Sequence, residues 1–307
     1  MTAAQKGGLG GDIRLVGLLA GSGKFPICFA RAARARGIRV VAIALKGEAP
    51  EELAEHVDEI HWTGLAKLGA WIEIFRDAGV RHAVMCGGVT KANMYKDIAS
   101  IVPDLRTAKL FFQQLRSHED HTVLQAVAKE FAKDGITLES SVFVCPELLA
   151  PRGCLTARKP TDAEWADIRF AWPLAKQIAA MQIGQTIVAK SGAVIAVEGM
   201  DGTDATLRRG GQIARGGAVA VKIAKEGHDP RFDIPCVGPD TVDVMKEAGI
   251  SALAIEAGQT ILLESEELAH RARKAKVSVV SVTAEDVAAD TPEKTKKLFQ
   301  NPHSLSF

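Results

Sequence analysis

The sequence predicts an α/β protein in two domains, a Rossmann-like parallel-sheet N-terminal domain followed by a second α/β domain with a mixed sheet. Three observations carry this. Through the first half, short apolar runs alternate with segments of helical period, the pattern of a parallel sheet covered on both faces. A stretch without periodicity, 146–160, holds three prolines and interrupts the pattern, which marks a domain boundary. After one long helix, the second half is again rich in strands.

In order, 13–20 is a continuous apolar run and reads as a buried strand, and 25–36 has helical spacing with basic residues on one side. A second strand is expected at 40–44, a short third at 57–62, a helix at 67–78, and a fourth strand at 83–86 that ends at Gly87-Gly88. Helices follow at 104–116 and 120–133. Thr161-Asp-Ala-Glu164 is a capping-box pattern that opens a helix running to about residue 183. The strands expected beyond it are 186–190, 193–198, 218–223, 252–255, 260–264 and 277–282, with helices at 203–209, 240–248 and 265–274. The domains are therefore 12–150 and 151–290, and the charged tail 291–307 is expected to be poorly ordered.

Bulk composition narrows the function classes. The chain has 307 residues, enough for two full cores, with 47% apolar and 24% charged residues. A net charge of +1, 5% aromatics and a single tyrosine, Tyr95, speak against a nucleic-acid partner. Five cysteines, Cys28, Cys86, Cys145, Cys154 and Cys236, form no CxxC pair and suit a reducing cytoplasm. The N-terminal residues lack the apolar core of a signal peptide, and no apolar run is long enough to span a membrane. A cytoplasmic location is the expectation.

The chemistry concentrates in four places. Gly21-Ser22-Gly23-Lys24 ends a strand and opens a helix, where backbone N–H groups can approach a phosphate. It is neither a Walker A loop nor a full GxGxxG, and a tight strand-to-helix turn explains the same residues. Gly87-Gly88-Val-Thr-Lys91 follows another strand at the same carboxyl edge, so Lys91 is a candidate phosphate contact or a solvated side chain. Between Glu198 and Asp204, three carboxylates, Glu198, Asp201 and Asp204, share a glycine-rich turn, a set suited to Mg²⁺ or Mn²⁺ unless they only cap the next helix. Asp229-Pro-Arg231-Phe-Asp233-Ile-Pro235 holds Arg231 and Asp233 on one side of a stiffened loop. There the arginine can neutralise phosphoryl oxygens while the carboxylate positions a metal or accepts a proton, or the two form an ion pair. Arg208 and Lys222 add positive charge nearby. The pair His118 and His121 reads less well as a metal site, because Asp120 serves equally as a helix cap.

The order AGSGKFP, GGVTKANM, VEGMDGTDATLRRGG and AVAVKIAKEGHDPRFDIPCVGPDTV resembles the UDP-2,3-diacylglucosamine pyrophosphatase family of lipid A biosynthesis, the LpxI type, over roughly 13–282. The resemblance implies hydrolysis of UDP-2,3-diacylglucosamine to UMP and lipid X, with a divalent ion and water attack at the β-phosphorus. It also implies that Asp233, in the RFD-[LI]-P motif, is the catalytic aspartate. Two departures stand out: Asp201 replaces a more usual Glu, and His118-Glu119 replaces a more usual Gly-Asp. On this reading Asp233, Glu198, Asp201 and Asp204 are candidate metal ligands. Gly21, Ser22, Gly23, Lys91, Arg208, Lys222 and Arg231 are candidates for binding an acylated UDP-sugar. A lipid substrate also raises the expectation of a peripheral contact with the cytoplasmic face of the inner membrane, and a homodimer is a further expectation. Two other functions fit parts of the pattern: a nucleotide-sugar sensor without catalysis, and a dinucleotide-dependent oxidoreductase. The latter lacks both the third glycine and an acidic residue at the end of the second strand, Ala44-Leu45.

Overall fold

Five of the six residues of Leu15–Ala20 (β1) are buried, because this strand lies at the centre of a sheet covered on both faces. It pairs in parallel with Arg39–Leu45 (β2) on one side and His82–Cys86 (β4) on the other, with Leu18 opposite both Ala42 and Val84. Glu59–Thr63 (β3) and Thr137–Leu138 (β5) complete the order β3-β2-β1-β4-β5, all parallel, as the Rossmann-like reading requires. The computed structural model describes residues 13–89, 102–116, 123–225, 229, 231, 232 and 234–288. Two compact units divide the chain: one holds Met1–Leu148 together with Asp229–Ile234, the other Leu149–His228 and Pro235–Phe307.

The helices of the first unit follow from apolar spacing. Phe25–Ala35 (α1) starts on a proline in its first turn and buries Phe25, Ile27, Phe29, Ala30 and Ala33. Leu68–Asp77 (α2) buries Trp71, Ile72 and Phe75 in a core shared with Leu110 of Leu105–Arg116 (α3) and Phe131 of Val123–Lys133 (α4). Asp104 ties two helix starts together, its carboxylate accepting from the N–H groups of Gly69 (2.7 Å) and Thr107 (2.8 Å). The expected start of α4 at 120–122 lies outside the described residues, as do His118, Glu119, Asp120, His121 and the tail.

In the second unit Asp162–Ala180 (α5) opens on the expected capping box: Glu164 N–H donates to the Thr161 hydroxyl, and Thr161 N–H donates to the Glu164 carboxylate at 2.8 Å. The mixed sheet comprises Gly153–Cys154 (β6), Thr186–Lys190 (β7), Ala193–Val197 (β8), Ala218–Lys222 (β9), Ile250–Glu256 (β11) and Ser278–Val282 (β13), in the order β6-β13-β11-β9-β7-β8. β9, β11 and β13 are mutually parallel, while β7 runs against β8 and β9. A small parallel pair, Cys236–Val237 (β10) and Ile261–Leu262 (β12), lies apart from it. One face of the main sheet packs on α5 and on Val287 of Ala284–Ala288 (α9). The other face packs on Gly202–Ala214 (α6), Pro239–Ala248 (α7) and Ser265–Ala275 (α8).

Two expectations change here. The proline-rich boundary is not entirely loop, since β6 adds an antiparallel edge strand beside β13. The helix expected at 203–209 continues to Ala214, straight through Gly210 and Gly211. Those glycines are spacers rather than stops: a Cβ at Gly210 would sit 2.7 Å from Val188 of β7, and one at Gly211 would overlap the Ala248 carbonyl of α7.

Candidate active-site elements

In the first unit the strand order reverses between β1 and β4, and this switch point is where open α/β sheets place ligands. Both glycine loops lie there, stitched to each other. Gly21 N–H donates to Cys86 O at 2.9 Å, Ser22 N–H to Gly88 O at 2.7 Å, and the Ser22 hydroxyl to the same oxygen at 3.0 Å. A Cβ at Gly21 would overlap Gly88 O, and one at Gly87, where φ is +85°, would overlap Ser22 O. Close approach of two backbones therefore explains these glycines, and the Gly21 and Ser22 amides are already occupied. That takes up two of the donors a dinucleotide pyrophosphate would use. Gly23, with φ +86°, faces open space at the start of α1 and remains the position where this loop can meet a ligand. Lys91 lies outside the described residues.

In the second unit the carboxyl ends of β8 and β9 meet the start of β7. Glu198, Thr186 and Lys222 form a row across these three strands: Thr186 is the register partner of Lys222, and Glu198 N–H donates to Thr186 O at 2.9 Å. All three are buried. Lys222 is 7% exposed, and its ammonium donates to the Cys236 carbonyl at 3.0 Å; among the described residues no carboxylate pairs with it. The Thr186 hydroxyl and the Gln185 side-chain oxygen also have no partner among the described residues. Helix α6, beginning at Gly202, directs its N-terminus to this same edge, where an anion is favoured.

The acidic turn is largely self-bonded. Glu198 accepts from the Thr203 hydroxyl at 3.1 Å and from Gln185 N–H at 3.4 Å. Asp201 accepts from Gly199 N–H at 3.1 Å and pairs with Arg209 at 2.9 Å, while Arg209 also donates to Val197 O at 2.8 Å. Asp204 is exposed in the first turn of α6. No group of three His, Cys, Asp or Glu residues among the described residues is placed to hold a metal ion. Taken by themselves, Glu198, Asp201 and Asp204 therefore do not form a cation cage, and the fourth proposed ligand, Asp233, lies outside the described residues.

Arg231 engages Asp229, through its amide at 3.1 Å and its guanidinium at 2.8 and 2.5 Å, and this bond raises its pKa further. Its guanidinium also lies 4.9 Å from the ring of Phe232, which packs on the core of the first unit. Arg208 points elsewhere. It meets Glu247 at 3.4 Å in a surface hollow shared with Arg215, Gly216 and Gly249, the last two preceding β9 and β11 at the amino edge of the sheet.

Sequence reasoning missed a further pair at the carboxyl edge. Glu256, the last residue of β11, accepts from Lys176 of α5 at 2.7 and 2.9 Å and from Ala224 N–H at 3.1 Å. A carboxylate closing an apolar strand was the signal, the same one that singled out Glu198.

These features define an α/β protein whose strands end in buried charged groups beside a helix N-terminus, the class that binds or turns over phosphorylated ligands. Family comparison matches residues 15–148 to the LpxI N-terminal domain and residues 151–280 to the LpxI C-terminal domain. The chain belongs to the LpxI family. A relative from Caulobacter vibrioides, UDP-2,3-diacylglucosamine pyrophosphatase LpxI, is 29% identical over 264 residues, covering 83% of this chain and 92% of that protein. Among solved structures, the biotin carboxylase domain of the Hydrogenobacter thermophilus 2-oxoglutarate carboxylase matches at 17% identity over 59% of this chain, with a TM-score of 0.25. The biotin carboxylase subunit of a pyruvate carboxylase matches at 15% identity over 62% of this chain, with the same TM-score of 0.25. This chain spans only 35% and 38% of those two structures, and the likeness says nothing about its function.

Proposed function

We propose that the chain hydrolyses UDP-2,3-diacylglucosamine to UMP and 2,3-diacylglucosamine 1-phosphate, in lipid A biosynthesis. The observation that carries the reading is membership of the LpxI family across both domains, with the Caulobacter relative named for this reaction. Water supplies the oxygen that bonds to the β-phosphorus. The bond from that phosphorus to the bridging oxygen breaks, and UMP leaves with the bridging oxygen. In this reading the Asp233 carboxylate accepts the proton of the attacking water. Lys222 and the start of α6 stabilise charge on the phosphoryl oxygens, and Arg231 is a further phosphate contact.

Mg²⁺ or Mn²⁺ belongs to the proposal as the source of further charge neutralisation, and loss of turnover on chelation checks it. A peripheral contact with the inner membrane at its cytoplasmic face is also proposed. It is supported by Leu105, 91% exposed, and Phe112, 68% exposed, both on α3. Absence of binding to anionic vesicles would count against it. A homodimer is proposed through the exposed edge strand β8, where Val194 is 40% exposed, and a measured mass equal to the 32.7 kDa chain would exclude it.

The decisive experiment is turnover in ¹⁸O-labelled water by the unmodified protein and by Asp233→Ala. The expected result is label in the sugar phosphate and at least about a thousandfold loss of turnover in the variant. Label in UMP refutes the site of attack. Retained turnover in the variant refutes the role of Asp233.

A further inference from the structure

Two turns lie side by side at the carboxyl edge of the second sheet. Residues 181–185 lead from α5 into β7, and residues 198–201 lead from β8 into α6. They are fastened to each other. Gly184 comes so close to Glu198 that a Cβ on it would sit 2.1 Å from the Glu198 carbonyl oxygen, and Gln185 N–H donates to the Glu198 carboxylate at 3.4 Å. The first turn is also joined to the end of β9, where Gln185 O accepts from Ile223 N–H at 3.0 Å, one residue past Lys222. Its start is fixed by α5. Gln182 N–H donates to Ala179 O and Ile183 N–H to Ile178 O, both at 3.0 Å, with Gln182 in the left-handed region at φ +60°.

These turns carry Met181, Ile183 and Met200, which are 61%, 51% and 62% exposed. A single exposed apolar residue needs no explanation, but three on two joined turns make an apolar ledge whose backbone is held without them. The anion-favouring part of the same edge adjoins it. Lys222 is the register partner of Thr186, the residue after Gln185, and α6 starts at Gly202, two residues after Met200. A ligand that satisfies this whole edge carries an anionic group and an apolar chain on one small frame. A purely ionic ligand would leave the ledge in water. A purely apolar one would leave the Lys222 ammonium, among the described residues, with the Cys236 carbonyl alone.

We propose that Met181, Ile183 and Met200 receive an acyl chain of the substrate and set a preference for long chains. The inference rests on the hydrolytic reading above, whose substrate carries both groups, phosphates for the Lys222 side and acyl chains for the ledge. Two of the three side chains are methionines, unbranched and polarizable, which adapt their shape to a flexible hydrocarbon. Each methylene laid on the ledge leaves water, so the contribution grows with chain length. The acyl chain lies away from the reacting phosphorus, and its binding energy acts through kcat/KM.

The test measures kcat/KM for UDP-2,3-diacylglucosamine bearing dodecanoyl or butanoyl chains, in one detergent, and reads the ratio of long-chain to short-chain substrate. In the triple variant Met181→Gln, Ile183→Gln, Met200→Gln the ratio falls by about tenfold or more, with the melting temperature held. Met200→Gln alone lowers it by about threefold, and Met200→Leu, which stays apolar, keeps it within about twofold. Ile213→Gln is the control: this exposed apolar residue lies at the far end of α6, roughly 20 Å along the helix axis from Met200, and its ratio stays within about twofold. A triple variant that keeps the ratio overturns the inference. So does an equal loss at both chain lengths, since the turns then serve only the shape of the site, and so does a fall in Ile213→Gln as large as in the triple variant. If the triple variant does not fold, the contrast between Met200→Gln and Met200→Leu decides in its place. Turnover of neither substrate by the unmodified protein would defeat the hydrolytic reading instead. Calorimetric binding of didodecanoylglucosamine and dibutanoylglucosamine 1-phosphate then judges the ledge by itself: the triple variant loses about tenfold of the preference for the longer chains, and an unchanged preference overturns the inference.

Discussion

Among the described residues the buried Lys222 ammonium has one acceptor, the Cys236 carbonyl, and a buried charge so sparsely bonded is costly to keep. Glu198 lies in the same cross-strand row, yet its oxygens are taken by Thr203 and Gln185. Among the described residues Lys222 has only the Cys236 carbonyl and the Thr186 hydroxyl has no partner, at the sheet edge where Glu198 meets Thr203 in the first turn of α6. Lys222→Met tests this by separating function from stability. The methionine keeps the stem packed and removes the charge, so the melting temperature is expected to hold or rise by an amount equivalent to about 1 kcal/mol. Turnover of the acylated UDP-sugar is expected to fall by at least about tenfold, or about 1.4 kcal/mol of transition-state stabilisation. Parallel activity assays and thermal melts decide the matter. A variant that melts much earlier but retains its activity per folded molecule would make Lys222 structural.

Among the elements, those with strong period and clear caps were legible in the sequence. The strand at 186–190 agrees to the residue with Thr186–Lys190, and the capping box at Thr161 opens α5 as its residue pattern requires. What was not legible is what depends on a neighbour remote in sequence. The loops at Gly21 and Gly87 read as candidate phosphate contacts, with a tight turn as the other reading at Gly21, while the close backbone approach of two loops 66 residues apart in the chain had no signal in the sequence. Gly210 and Gly211 read as a helix end because propensity disfavours them, yet α6 needs them to lie close to β7 and α7. Asp201, read as a possible metal ligand, is held by Arg209 of its own helix, and Arg208 was grouped with the site only by sequence proximity. The close approach of α6 and α7 can be tested directly. In Gly211→Ala the new methyl meets backbone rather than a flexible side chain, so the two helices must separate. The expected cost is about 2–3 kcal/mol, against a gain below about 1 kcal/mol in helix propensity. Urea unfolding should show a lower midpoint. An unchanged or higher midpoint would mean that the two helices slide apart freely.

Across the whole molecule, stability is tied to pH through carboxylates that fasten elements in each unit. In the first unit, burial raises the pKa of Asp104, but the hydroxyl and amide of Thr107 and the amides of Ala70 and Gly69 outweigh it and hold the group below the usual carboxylate range. Glu130 is lowered too, with Lys133 and Arg106 overcoming desolvation, and Arg36 lowers Glu147. In the second unit, Arg158, Ser251 and the Thr161 amide overcome the burial of Glu164 at the start of α5. Each of these groups binds its proton more weakly when folded than when unfolded. Its stabilising contribution is therefore complete above the unfolded pKa, near about 4, and is lost as pH falls through the lower folded value. The melting temperature should accordingly be nearly level from about pH 8 to about pH 5 and decline steeply below about pH 4. Asp104→Asn and Glu164→Gln sharpen the test, since each removes the charge while leaving an amide of the same shape. Both are expected to be less stable than the unmodified protein at neutral pH, and the difference should narrow as pH falls below the unfolded value of about 4 and on through the lower folded value of each carboxyl. Calorimetric melts across this range measure the gap directly. A gap that stays constant down to about pH 2.5 would show that the geometry of these caps, and not their charge, stabilises the helix starts.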